Sequence, residues 1–326
     1  MASTFPAING LRSRGVILRE IQTAATTADH PWLDRFRSEL ERADLAPATV
    51  EGYLKDIRLF LHWQARENEL PILSEGELIA YRQHLIGQCR LRPATVNRRL
   101  EALRRLCRWA RAKDGLKDDI ADTVKPVRVE RNRRPVGLTG TEVHGLLRAA
   151  GMSSHGHARR DYALVQLLVQ TGLRVGEVSA LRLADIELRE RTGNLRVRDG
   201  KGHKEREVPL NATARRALRQ YLDQRPNVGP EASLFLSGRD TPLPIRSIQA
   251  IIGRLAARAH IERVPVSAHT LRHTFALSFL RANPGKLVEL ASLLGHDSLD
   301  TTALYTRPSA DHLAADVERS PLNVDR

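Results

Sequence analysis

The stretch "NLRVRDGKGHKEREVPL", residues 194–210, decides the fold. Leu195 and Val197 alternate with polar residues before a Gly-rich turn, and Val208 and Leu210 resume the alternation after it. A period of two around such a turn predicts a β-hairpin, with Lys201 at its tip. On both sides the apolar residues recur at helical spacing instead, so the chain reads as mainly α with a small β-hairpin or sheet set into its second half.

Upstream, "LTGTEVHGLLRAA" from Leu138 opens this second half as a helix capped by Thr139 or Thr141. "DYALVQLLVQTGLRVGEVSAL" follows, with Leu164, Leu167 and Leu168 on one face, a break at Thr171-Gly172, and a new helix carrying Val175, Val178 and Leu181. Arg174 sits at the break. Downstream, helices are predicted near 245–259, 268–282, 286–294 and 299–305. In "LLGHDSLDTTALYTR", residues 293–307, Gly295 ends one helix and a cap at Ser298 or Asp300 starts the next. His296 follows the glycine, and Tyr305 lies at the far end of that short helix.

The first half is helical from His30, with Trp32, Leu33, Phe36 and Leu40 in register, then Val50, Tyr53, Leu54, Ile57, Phe60 and Leu61. "APATV" at 46–50 and "RPATV" at 92–96 look like a repeat. They read better as two helices that each begin on a proline, whose missing N–H costs nothing there. The second of these helices carries Arg98, Arg99, Arg104, Arg105, Arg108 and Arg111 around a stripe of Leu100, Leu103, Leu106 and Trp109. Such a basic face serves either as a solvated surface or as a track for DNA phosphates. "KPVRVERNRRP", residues 125–135, then combines prolines with Arg131, Arg133 and Arg134, as an extended interdomain linker would. The expected organisation is an arm at 1–29, a helical domain at 30–124, a basic linker at 125–137 and a second domain at 138–326.

Composition sets the partner class. Lys and Arg number 52 against 38 Asp and Glu, a formal net charge of +14, and that field favours a polyanion, nucleic acid above all. No apolar run approaches the roughly 18 residues of a membrane span, and the first thirty residues lack a signal core. Two cysteines, Cys89 and Cys107, fit a reducing intracellular compartment, the cytoplasm, and are expected to pack in a helical core.

Four segments carry chemistry: "TGLRVGE", "DGKGHKER", "SAHTLRHTFA" and "LLGHDSLDTTALYT". Taken in this order they resemble the tyrosine recombinase family, Xer-type recombinases and phage-type integrases foremost, over about Trp32 to Tyr305. The resemblance implies a two-domain C-shaped DNA clamp, a helical core-binding (SAM-like) domain plus a catalytic domain. It also implies a catalytic set of Arg174, Lys201, His269, Arg272, His296 and Tyr305, with Tyr305 the nucleophile.

The residue types suit that chemistry. A phosphodiester under attack gathers charge on its nonbridging oxygens, and guanidiniums at Arg174 and Arg272 bind such oxygens while staying protonated. His269 and Arg272, three apart, share one face of a helix near an N-terminus capped by Ser267. Tyr305, a phenol, must lose a proton as it attacks, and His269 is the expected partner. By the resemblance, Lys201 protonates the leaving 5′-oxygen, His296 bonds a nonbridging oxygen, and the product is a 3′-phosphotyrosine link. Religation of that link needs neither ATP nor metal, in keeping with a sequence without a Walker loop. His273, four residues from His269, raises a zinc alternative, but "HTLRH" lacks the glutamate of the zinc-protease motif. Glu177 is expected to orient an arginine.

The expected DNA contacts are Arg98, Arg99, Arg104, Arg105, Arg131, Arg133, Arg134 and Lys204, with no cofactor and no metal. The expected partners are double-stranded recombination sites, bound by a homotetramer that exchanges strands through a Holliday junction. Asn283-Pro284 and the "YTR" ending depart from the Xer pattern, which points from a housekeeping resolvase toward integration, excision or resolution for a mobile element, plasmid or phage. A type IB topoisomerase and an inactive DNA-binding regulator are the alternatives. "ADHLAADVER", residues 310–319, is a candidate short helix that docks either on its own domain or on a neighbouring subunit.

Overall fold

The structure, a computed structural model, describes residues 31–43, 45–67, 73–114, 124–128, 135–152, 156–198, 205–225, 228–296, 298–306 and 318. The arm at 1–29, Lys201, Lys204, Arg131, Arg133, Arg134 and all of 310–319 except Glu318 lie outside the described residues. The chain divides into two compact units, one up to Arg131 and one from Asn132. Among the described residues no helix is long and apolar enough to cross a membrane.

Among the described residues the first unit has four helices: α1 (Pro31–Arg42), α2 (Pro47–Glu67), α3 (Glu75–Gly87) and α4 (Pro93–Asp114). Pro47 and Pro93 each occupy the first helical position, where φ is already fixed and no N–H is missed. Ser74 caps α3 by accepting from the Glu77 N–H at 3.3 Å. Trp32, Phe36, Leu54, Phe60, Tyr81, Leu100 and Leu103 form the core. Phe36 meets Trp109 at 5.2 Å between ring centroids, and Phe60 meets Tyr81 edge-on at 5.0 Å. Cys107 is buried in this core as expected, whereas Cys89 is exposed because α3 has already ended at Gly87.

The basic helix α4 is engaged in holding its own unit together. Arg98 grips the buried Asp56 through two nitrogens, and Arg99 lies 3.8 Å from the same carboxylate. Burial pushes Asp56 above the usual carboxylate range against the pull of Arg98 and Arg99. Arg104, 14% exposed, donates to the Val124 carbonyl. Asn97 accepts from the Val127 N–H at 2.7 Å and donates to its carbonyl at 2.8 Å, so residues 124–128 are tied to α4. Arg105 stacks over Tyr53 at 5.8 Å.

The second unit comprises α5 (Gly140–Gly151), α6 (Ala158–Thr171), α7 (Val175–Ala180), a three-stranded antiparallel sheet, α8 (Ala212–Leu222), α9 (Ile245–Arg258), α10 (Ala268–Ala282), α11 (Leu287–Leu294) and α12 (Leu299–Ala303). The sheet runs β1 (Ile186–Leu188), β2 (Gly193–Val197) and β3 (Arg206–Pro209), with Leu195 opposite Val208 and Val197 opposite Arg206. The hairpin of the sequence reading is β2 and β3. β1 is too short to show a period, and α8 is a helix the sequence reading does not include, although its signals are local: Asn211 caps it, and Ala214, Ala217, Leu218 and Tyr221 line one face.

Helix α6 is buried on most sides, packing against α5, α8 and α10. It stops at Gly172, whose φ of +64° favours glycine. A side chain there would also strike Phe275 and Leu294, with a Cβ 2.5 Å from one and 2.8 Å from the other. Glycine therefore lets the α6–α7 turn lie directly on α10 and α11, which places Arg174.

Candidate active site

Arg174 is the first residue before α7, with extended backbone, and its N–H donates to Glu177 Oε2 at 2.7 Å. The guanidinium turns back so that Nη1 meets Glu177 Oε1 at 3.0 Å and Nη2 donates to the Gly295 carbonyl at 2.9 Å. Arg272, on α10 and only 3% exposed, donates to the carbonyls of Gly172 at 2.7 Å and Leu294 at 2.8 Å. Burial lowers Arg272 to about 10, with Arg174 adding to the effect, and it remains a cation at neutral pH.

A third arginine completes the arrangement. Arg206, on β3, places Nη1 and Nη2 2.9 and 2.8 Å from the two oxygens of Glu177, while Nε donates to the Leu293 carbonyl at 3.0 Å. The C-terminal carbonyls of α11, at Leu293, Leu294 and Gly295, are thus each held by a guanidinium from a different element. Free helix-end carbonyls carry partial negative charge and lack intrahelical partners, so cations suit them. Glu177 is the carboxylate that joins Arg174 to Arg206. Burial pushes its pKa up, but the hydrogen bonds and charge of Arg206, then of Arg174, outweigh this and hold it below the usual range.

Gly295 ends α11 at φ +62°, and the N–H of His296 donates to the Ala291 carbonyl at 3.1 Å. His296 Nδ1 lies 2.8 Å from the hydroxyl of the buried Thr302 on α12. Ser267 caps α10 by accepting from the Thr270 N–H at 3.2 Å, which sets His269 in the first turn. Ser298, rather than Asp300, caps α12.

These elements surround one cavity of about 470 Å³, lined by Arg174, His269, Arg272 and His296 together with Ser298 and Thr301. Four of the six residues expected from the sequence therefore come together on it. Lys201 is outside the described residues, and Tyr305 does not line the cavity. The phenol points instead to His273, with Oη 2.7 Å from Nδ1. Tyr305 packs against the small cluster of Ala276, Leu290 and Leu294, and this burial raises its pKa, with Arg272 pulling the other way.

His269, expected beside Tyr305, stands edge-on to His273, with the ring centroids 4.1 Å apart. Desolvation, then the charges of Arg272 and Arg174, lowers His269; desolvation, then His269 and Arg272, lowers His273 to about 4. Among the described residues there is no cluster of three or more His, Cys, Asp or Glu side chains able to hold a metal. Two residues of this neighbourhood carry no role in cleavage in the sequence reading: Arg206, which it does not single out, and His273, which it considers only as a zinc ligand. Alternation in β3 puts Arg206 on the inward face with Val208, and the four-residue step from His269 puts His273 one turn along the same side of α10.

A cavity walled by guanidiniums and imidazoles is built for a tetrahedral oxyanion such as a phosphodiester. The match to known proteins agrees. The model described as "Phage integrase family" covers residues 137–312, and that of "Phage integrase, N-terminal SAM-like domain" covers 32–114, which defines the class as a two-domain integrase-type protein. "Tyrosine recombinase XerC" of Pelobacter propionicus is 33% identical over 286 residues, 86% of this chain and 90% of that relative. "Tyrosine recombinase XerD" of Corynebacterium glutamicum is 32% identical over 280 residues, 82% and 90% of the two chains. In fold, the chain is similar to the XerH site-specific recombinase solved bound to difH substrate, with a TM-score of 0.69 at 21% identity over 90% of this chain and 85% of that one. The chain belongs to the tyrosine recombinase family of the phage integrase type, and within it is Xer-like.

Proposed function

We propose that this protein cuts and rejoins duplex DNA at specific sites through Tyr305, and exchanges strands between two such sites. The single observation that carries this reading is the cavity bounded by Arg174, Arg272, His269 and His296, one short helix away from a tyrosine. Arg174 and Arg272 neutralise the nonbridging oxygens as charge builds on them. His296 donates to one of these oxygens, with its ring held by Thr302. The Tyr305 oxygen attacks phosphorus, its proton passes to His269, and the bond to the 5′-oxygen breaks as Lys201 supplies that oxygen with a proton.

Attack requires the phenol to leave His273 and reach the cavity. Short helix α12, tethered between His296 and Tyr305, is the part that moves. Bound DNA supplies the phosphate that draws it there. Arg105 of α4, with Arg98 and Arg99 beside it and Arg131, Arg133, Arg134 and Lys204 beyond the described residues, contacts the duplex backbone. Four copies act on two duplexes through a Holliday junction, in the cytoplasm, on behalf of a mobile element, plasmid or phage.

Incubating the protein with two labelled duplexes that carry its site, and with a supercoiled plasmid, tests this reading. Recombinant products joining the two labels are expected. Relaxation of the plasmid without any exchange would replace the reading with that of a topoisomerase.

A further inference from the structure

The unassigned residue with the most specific surroundings is Arg206. Its side chain is 11% exposed, and its three guanidinium nitrogens go to two different places: Nη1 and Nη2 to the Glu177 carboxylate, and Nε to the Leu293 carbonyl. Glu177 holds Arg174, and Leu293 lies three residues before His296 in the turn that the Arg174 and Arg272 side chains also grip. The fit is close: a Cβ on Gly295 would lie 2.8 Å from Arg206 Nη1 and 3.0 Å from Cζ. A guanidinium plane therefore lies flat against the backbone that precedes His296, and only a glycine allows it.

From this we infer that Arg206 is a positioning residue for strand cleavage, fixing Arg174 through Glu177 and His296 through the α11 C-terminus. The inference rests on the reading of Tyr305 as nucleophile and deepens it. Arg206 does not line the cavity. It acts by setting the distance between the two groups that must meet one phosphate, since a planar fork binds a carboxylate in one orientation and a lysine ammonium does not. Misplacement of such donors by about 1 Å costs on the order of 100-fold in rate.

The test uses the full-length protein and the duplex on which the wild type forms its Tyr305 adduct. Single-turnover cleavage is measured for wild type, Arg206→Lys and Arg206→Ala on that duplex and on the same duplex with a methylphosphonate at the scissile position. The methylphosphonate replaces a charged oxygen by a methyl group and leaves less charge for a clamp to stabilise. Melting temperature and DNA affinity are recorded alongside.

Both variants are expected to bind DNA within about 3-fold of wild type and to cleave the phosphodiester on the order of 100-fold more slowly, as loss of one aligned oxyanion donor does. On the methylphosphonate the deficit should shrink below about 10-fold, a change a merely structural role would not produce. Equal deficits on the two substrates, no deficit on either, or failure of even Arg206→Lys to fold would overturn the inference. Absence of any wild-type adduct would instead strike the reading of Tyr305, so the two failures are distinguishable.

Discussion

Replacing Glu177 by glutamine removes one charge and keeps the shape, and the structure sets what that costs. The carboxylate, 5% exposed, accepts four hydrogen bonds: two from Arg206, one from the Arg174 side chain and one from the Arg174 N–H. Glutamine keeps one carbonyl oxygen and turns an NH₂ toward donors that have no lone pair to offer, so at least two of the four bonds are lost. Hydrogen bonds to charged groups contribute roughly 1.5–3 kcal/mol each, and removing one partner of a buried ion pair costs about 3–5 kcal/mol. The Arg174 side chain is 34% exposed and partly screened, so we take about 3 kcal/mol. For a unit of this size that corresponds to a drop in melting temperature of about 6–12 °C.

Calorimetry at pH 7 checks this figure, and a pH series checks its cause. The folded carboxyl titrates below its ordinary value, so its stabilising effect is complete above that value and is lost as the pH falls through the folded one. The gap between wild type and Glu177→Gln should be flat from pH 6 to 8 and close below about pH 4. A variant melting within about 2 °C of wild type, or a gap that widens on acidification, would refute the claim that this carboxylate holds the arginines.

Two further outcomes are expected. Arg104→Ala, which frees the Val124 carbonyl, should lower the melting temperature of the first unit without altering the salt dependence of DNA binding, whereas Arg105→Ala should reduce that salt slope by about 1; measuring affinity against salt separates them. In an NMR titration His273 should stay neutral down to about pH 4, because it is desolvated beside His269 and Arg272. Its depressed pKa adds stability that is complete above about pH 6.5 and is lost on acidification toward 4, and a midpoint near 6.5 would contradict the packing described for Tyr305.

Much of this was legible in the sequence because it rests on short-range signals. The change from helical period to alternation located β2 and β3, prolines marked the starts of α2 and α4, and glycines at 172 and 295 marked helix ends that lie beside Arg174 and His296. What was not legible depends on long-range pairing. Arg98 and Arg104 read as candidate phosphate contacts, and no local pattern shows that they also hold Asp56 and the Val124 carbonyl, 42 and 20 residues away. The contact of Tyr305 with His273 rather than His269 depends on where the turn after α12 brings the phenol against α10, which no local pattern encodes. Arg206 looked like one more basic residue of a turn because Glu177 lies 29 residues before it and Leu293 87 after it.

The most direct measurement is covalent trapping: the protein is incubated with nicked duplexes drawn from its genomic neighbourhood, and the protein–DNA adduct is digested and sequenced. The account predicts an adduct that forms without ATP and in the presence of a metal chelator, joins a 3′-phosphate to Tyr305, leaves a free 5′-hydroxyl, and is absent from Tyr305→Phe. An adduct that persists in Tyr305→Phe, or that maps to another residue, would contradict it.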